Sequence, residues 1–139
     1  MKSKNKVTIG IDAKAPKASC DDKKCPFHGR LKVRGKTFTG TVIKEKFAKS
    51  PVIEWTEQVY VPKFERYKKI RTRVHVHNPP CINAKLGDNV KIAECRPLSK
   101  TKNFVIIEKI GREAAFELKA EGMEESKVKE KEGKEDASS

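Results

Sequence analysis

The stretch Gly87–Ile110, GDNVKIAECRPLSKTKNFVIIEKI, decides the fold. Both of its ends read as short apolar alternations, the pattern of strands with a buried face. Between them lies RPLSKTK. A tight turn normally draws on Gly, Asn or Asp, which adopt the backbone angles a turn demands. Here the connection carries Arg96, Pro97, Ser99, Lys100, Thr101 and Lys102 instead. The stretch therefore predicts two strands, 88–96 and 103–110, joined by a turn whose side chains are chosen for something besides geometry.

Upstream, Gly, Pro, Asn and Asp separate further short segments rich in Val, Ile, Thr and Phe. They predict strands at 38–47 (FTGTVIKEKF), 52–61 (VIEWTEQVYV) and 69–77 (KIRTRVHVH). Gly40 inside the first marks a bend or bulge, as closure of a small barrel needs. Pro51 stands just before the second, where its missing N–H does least harm. No 3.6-residue period is sustained between residues 31 and 110. The fold class is all-β: a five-stranded antiparallel barrel of the OB type over 38–110. A basic extension, 1–37, precedes it, and its first 19 residues, rich in Lys, Ala and Pro, read as a flexible arm. A mixed-charge tail, 111–139, follows, as a short helix or disordered chain.

The chain of 139 residues holds 32 Lys+Arg against 19 Asp+Glu, a net charge of +13. The excess belongs to the body. Residues 1–110 hold 26 Lys+Arg against 10 Asp+Glu, and the remainder 6 against 9. A chain this basic implies a polyanionic partner that offsets its self-repulsion. No apolar run is long enough to span a bilayer, and the charged start lacks the apolar core of a secretory signal. No membrane and no small-molecule substrate is expected, and a cytoplasmic location is.

The third strand is the most informative segment. Side chains alternate between faces, so Ile70, Thr72, Val74 and Val76 point one way, and Arg71, Arg73, His75 and His77 the other. With Lys63, Arg66, Lys68 and Lys69, six cations fall between residues 63 and 73, opposed by Glu65 alone. Tyr60, Phe64 and Tyr67 are interleaved. Cations on phosphates with rings on bases is the equipment for RNA loops and single strands. A barrel this small needs its large apolar residues, however, and the rings are expected in the core. Lys49 loads the loop 48–50 between the first two strands, with Lys44 and Lys46 at alternate positions just before it; in an OB-fold that loop borders the binding face with the loop between strands four and five.

Enzymatic roles find little support. Gly35-Lys36-Thr37 resembles the end of a phosphate loop, but the required earlier Gly is absent and a strand follows where a helix is needed. The acids of the body are scattered, with no cluster to hold catalytic metal ions. Cys20-x4-Cys25 with His28 lies at the wide end of zinc-ligand spacing, and Cys81 or Cys95 could complete four ligands. No second Cys pair is present, and single cysteines commonly pack as small hydrophobes. No metal and no cofactor is therefore assigned from sequence. A freely cytoplasmic single-strand-binding OB module is the alternative to a structural RNA-binding protein.

GDNVKIAECRPLSKTKNFVIIE closely resembles the C-terminal signature of the universal small-subunit ribosomal protein S-seventeen family. FTGTVIKEKFAKSPVIEW resembles its first hairpin and RVHVHNPPCINAKLGD its middle. CPFHGRLKVRGK and NPPCINAKLGD are similar to archaeal-type members. The resemblance implies an OB-fold protein, not an enzyme, that contacts small-subunit rRNA in its 5′ domain early in assembly, beside neighbouring ribosomal proteins. It implies rRNA contact by Lys46, Lys49, Lys68, Lys69, Arg71, Arg73, His75, His77, Arg96, Ser99, Lys100, Thr101 and Lys102.

Overall fold

A computed structural model of the chain describes residues 9–45, 47 and 49–116. Five strands close into a barrel: β1 (Val33–Lys44), β2 (Val52–Val61), β3 (Arg66–His77), β4 (Asp88–Cys95) and β5 (Lys102–Arg112). Their order around the barrel is β1-β2-β3-β5-β4, closed by pairing of β1 with β4. This is the strand order of an OB-type barrel. One pairing departs from the antiparallel expectation. β3 runs parallel to β5, with His75 opposite Lys102 and His77 opposite Val105. The barrel is therefore mixed, because β5 enters between β3 and β4 from the β4–β5 turn.

The barrel interior is built from Val42, Ile53, Val76, Val90, Ile92 and Ile106, with Phe38, Trp55, Val74 and Phe104 packed against them. Phe38 stacks on Trp55 at 4.8 Å between ring centroids. Gly40 is required where β1 crosses β2, since a Cβ there would sit 2.7 Å from the Glu54 carbonyl oxygen. A second cluster lies on the outside of the sheet. Ala93, Val105, Ile107 and Leu31 are covered by Ile9, Ile11 and Ala13. Val105, Ile106 and Ile107 are thus all fully buried, though they alternate between faces. A continuous apolar run marks a strand covered on both sides, and the N-terminal extension is the cover. Its residues 9–13 are not a free arm, and the Asp12 carbonyl accepts a hydrogen bond from Lys91 Nζ at 2.7 Å.

β1 ends at Lys44 rather than 47, and two strand starts differ from the expected ones for identifiable reasons. β1 starts at Val33 rather than 38, because it runs through Gly35 (φ +107°) with a register shift between Val33 and Thr37. A left-handed glycine reads as a turn, yet here it is a bulge within a strand. β3 starts at Arg66 rather than 69. Its first residues pair with the end of β2 beyond the barrel, forming a two-stranded ribbon capped by the 3-10 turn Pro62–Phe64 and Glu65 at φ 50°.

The β3–β4 connection is braced by Asn78, whose side chain donates to the Ala84 carbonyl at 2.9 Å and accepts from the Ala84 N–H at 3.1 Å. Beyond β5, the Glu113 N–H donates to the Gly87 carbonyl at 3.0 Å. The helix expected within the tail is described only as one turn at residues 114–116; the rest lies outside the described residues. Among the described residues, no helix is long and apolar enough to cross a membrane.

Candidate nucleic-acid interface

The β4–β5 turn solves its geometry without Gly or Asn. Ser99 Oγ accepts the Lys102 N–H at 3.2 Å, and the Leu98 N–H donates to the Lys102 carbonyl at 2.8 Å. A serine hydroxyl here does the work of an Asn or Asp side chain. None of the turn residues has positive φ. Lys100 and Thr101 sit exposed at its tip, and Arg96 is exposed at its start.

Lys102 Nζ reaches across to donate to Ser50 Oγ at 2.8 Å. That bond ties the β4–β5 turn to the β1–β2 loop. Exposed Lys49 stands beside Ser50, and its carbonyl accepts the Asn78 N–H at 3.3 Å. His75 is exposed and lies opposite Lys102 in the β3–β5 ladder. Lys49, His75, Lys100, Thr101 and Lys102 therefore share one rim. Lys46 lies outside the described residues.

The ribbon is a second cationic element. One face of it carries Tyr60 opposite Tyr67, Gln58 opposite Lys69, Thr56 opposite Arg71 and Glu54 opposite Arg73. Lys68 falls on the other face, with Val59 and Ile70, so the basic run does not act as one surface. Arg73 is engaged, its Nε donating to Glu54 Oε2 at 2.6 Å. Tyr60, Phe64 and Tyr67 are exposed by 48%, 66% and 71%. This corrects the expectation that they fill the core. The ribbon extends past the barrel, so its rings have no interior to enter. The tyrosines pack on each other at 5.2 Å, and Lys63 lies over the Phe64 ring.

His77 lies on the expected outer face but is covered there. It is 3% exposed, and its Nε2 lies 2.8 Å from Asp22 Oδ2. Strand β3 passes beneath the 20–30 loop at this point, which covers the outer face and removes His77 from any surface. Burial pushes the imidazole below its ordinary value, against the pull of Asp22, with Lys102 and Lys24 adding repulsion. A neutral ring must place its proton on Nε2, because an ionised carboxylate only accepts. Nδ1, which has no hydrogen-bond partner among the described residues, is then left as an unprotonated nitrogen. Burial raises Asp22, but the Lys24 N–H and then His77 outweigh it and hold the carboxyl below its usual range.

Sequence reasoning missed two groups of cations. Lys23 and Lys24 line a cleft with Lys49, brought there by the folding back of the 20–30 loop. Lys32 and Arg34 line another with Arg96, brought there by the early start of β1 and its pairing of Val33 with Cys95. The spacing of Lys32 and Arg34, two residues apart before the first expected strand, was the available signal.

The same loop gathers sulfur and nitrogen. Cys20, Cys25, His28 and Cys81 bring one Sγ or ring nitrogen each to within 4.8 Å of all the others. The sequence groups Cys20, Cys25 and His28 by spacing and leaves the fourth member open between Cys81 and Cys95. The structure selects Cys81, because the β3–β4 loop lies against the 20–30 loop. Burial first, then the Cys25 and Cys20 sulfurs, push the Cys81 thiol far up. Burial also raises Cys20, but the Asp22 N–H and then the Cys25 and Cys81 thiols leave it below its ordinary value.

Fold and surface together define a class: a small closed OB-type barrel whose loops and one protruding ribbon are cationic contact surfaces. The family model for Ribosomal protein S17 matches residues 40–108. The small ribosomal subunit protein uS17 of Methanocaldococcus jannaschii is 53% identical over 104 residues, which are 75% of this chain and 89% of that protein. Those of Archaeoglobus fulgidus and Methanococcus vannielii are each 56% identical, over 105 and 101 residues, covering 76% and 73% of this chain and 94% and 93% of theirs. The chain belongs to the S17 family of small-subunit ribosomal proteins, in its archaeal form; it is a family of ribosomal structural proteins and not of enzymes.

Proposed function

We propose that the chain binds small-subunit rRNA directly, in the 5′ domain, and supports assembly of the subunit beside neighbouring ribosomal proteins in the cytoplasm. The Lys102–Ser50 bond carries this reading, because it fixes two cationic loops as one rim before any RNA arrives. Preorganised cations lose little freedom on binding. The barrel acts as the rigid support. Lys49, Lys100 and Lys102 neutralise phosphates on the rim, Thr101 donates its hydroxyl to a phosphate, and His75 adds a polar contact. Arg96 does the same with Lys32 and Arg34 at the neighbouring cleft. On the ribbon, Lys69 and Arg71 hold backbone while Tyr60, Phe64 and Tyr67 offer stacking faces. Affinity is then mainly electrostatic, and specificity comes from RNA shape.

The test is binding of the full chain to a 5′-domain rRNA fragment, and to another small-subunit fragment of equal length, across a salt series. Tighter binding to the 5′-domain fragment with a steep salt dependence supports the reading. Equal affinity for both fragments and for unstructured oligonucleotides favours a free single-strand-binding module instead.

A further inference from the structure

We infer that Cys20, Cys25, His28 and Cys81 form a structural zinc site that fastens the N-terminal extension to the barrel. Three observations on separate footings support it. The first is geometric. His28 Nδ1 lies 3.5 Å from Cys20 Sγ and 3.6 Å from Cys25 Sγ, and Cys25 Sγ lies 3.6 Å from Cys81 Sγ. A tetrahedron with Zn–S of about 2.3 Å and Zn–N of about 2.0–2.1 Å has S···S edges of about 3.8 Å and S···N edges of about 3.5–3.6 Å. Three of the six separations lie close to those edges, and all six are within 4.8 Å. Sulfurs this close also leave room for one ion and none for an iron–sulfur cluster.

The second observation is chemical. Three thiolates and one imidazole match the donor preference of zinc at closed, four-coordinate sites. The four cysteines of the chain are free thiols, and the fourth, Cys95, stands apart from the cluster.

The third is the rigidity of the support. The Cys25 N–H donates to the Asp22 carbonyl at 3.0 Å, the Gly29 N–H to the Cys25 carbonyl at 2.9 Å, and the Arg30 N–H to the Lys23 carbonyl at 3.3 Å. The turn is so tight that a Cβ on Gly29 would lie 2.5–2.7 Å from three carbonyl oxygens. On the other side, Cys81 sits in the loop that Asn78 braces. Asp22, between the first two ligands, is bonded to buried His77. The ligands are thus held from both sides, which is what a preformed metal site requires.

A bound ion would link Cys25 to Cys81 across 56 positions of sequence. It would hold Lys23 and Lys24 in the cleft they share with Lys49. A site of this kind contributes directly to folding.

The test uses the full chain purified without chelators. About one zinc per chain is expected, and removal by a strong chelator lowers the melting temperature. Cobalt loading gives a tetrahedral spectrum with thiolate-to-metal bands. Cys81→Ser weakens those bands, and Cys95→Ser leaves spectrum and stoichiometry unchanged. Because Cys81→Ser could also fail to fold, His28→Cys and His28→Ala form a second pair: the first retains the metal, and the second loses affinity at least tenfold. The inference is overturned by less than about half an equivalent of zinc, by a Cys25–Cys81 disulfide found in the untreated protein, or by equal metal affinity of wild type and His28→Ala in a chelator competition.

Discussion

Replacing Lys49, Lys100 and Lys102 together by Ala removes three cations from the rim joined by the Lys102–Ser50 bond. All three stand at the surface, Lys102 only partly so. If each neutralises one phosphate, the counterion relation for flexible strands lowers the slope of log K against log salt by about 2 in the variant. The same relation makes the loss about two decades of affinity at about 0.1 M salt, or about 3 kcal/mol, and about 1.5 kcal/mol at about 0.3 M. The fold is barely touched, because exposed substitutions are nearly neutral and one lost hydrogen bond costs about 0.5–1.5 kcal/mol. The assay is fluorescence anisotropy with a 5′-domain rRNA fragment over a salt series, with melting curves run in parallel. A variant that keeps the wild-type affinity and slope refutes the argument, as does one whose loss does not shrink with added salt.

Three further outcomes follow from the same geometry. Phe64→Ala with Tyr67→Ala is expected to weaken RNA binding by about 1–3 kcal/mol for each base stacked, with the melting temperature held, since both rings are exposed; an unchanged affinity would place the ribbon away from RNA. Ile106→Ala, at a fully buried position inside the barrel, is expected to cost about 2–5 kcal/mol in chemical denaturation. For His77, the folded chain holds the imidazole below its ordinary value of 6.5, so the unfolded chain binds the proton first as pH falls. Its contribution to stability is whole above about pH 6.5 and is lost as pH drops toward the folded value. His77→Gln should flatten that part of the stability–pH curve relative to wild type, and equal curves would contradict the assignment.

Much of the barrel was legible because its strands follow simple patterning. β2 was placed at its observed ends, 52–61, by Pro51 and by its β-branched content. The β4–β5 pair was visible in GDNVKIAEC and FVIIEKI. What escaped notice depended on contacts distant in sequence. The parallel β3–β5 pairing leaves no local trace. The start of β1 was hidden because Gly35 serves a bulge and reads as a turn. Val105, Ile106 and Ile107 in succession are the mark of a doubly covered strand, but the segment reads as an alternation with one buried face, and Ile9 and Ile11 in a Lys-, Ala- and Pro-rich stretch do not look like a cover. The exposed cations of the rim and the ribbon were visible, whereas the burial of His77 was not. Face alternation predicts which way a side chain points, not what lies above it, and the 20–30 loop lies above His77. The same loop hides the fourth ligand from the sequence: Cys81 reaches Cys25 only in the closed barrel.

The central claim is that this chain is a resident of the small ribosomal subunit held there by its cationic surfaces. Sedimentation of a native lysate, before and after a high-salt wash, tests it most directly. The account predicts co-migration with small subunits, retained through the wash in wild type and reduced in the Lys49, Lys100 and Lys102 triple variant. Recovery of the wild-type chain at the top of the gradient under both conditions would contradict it.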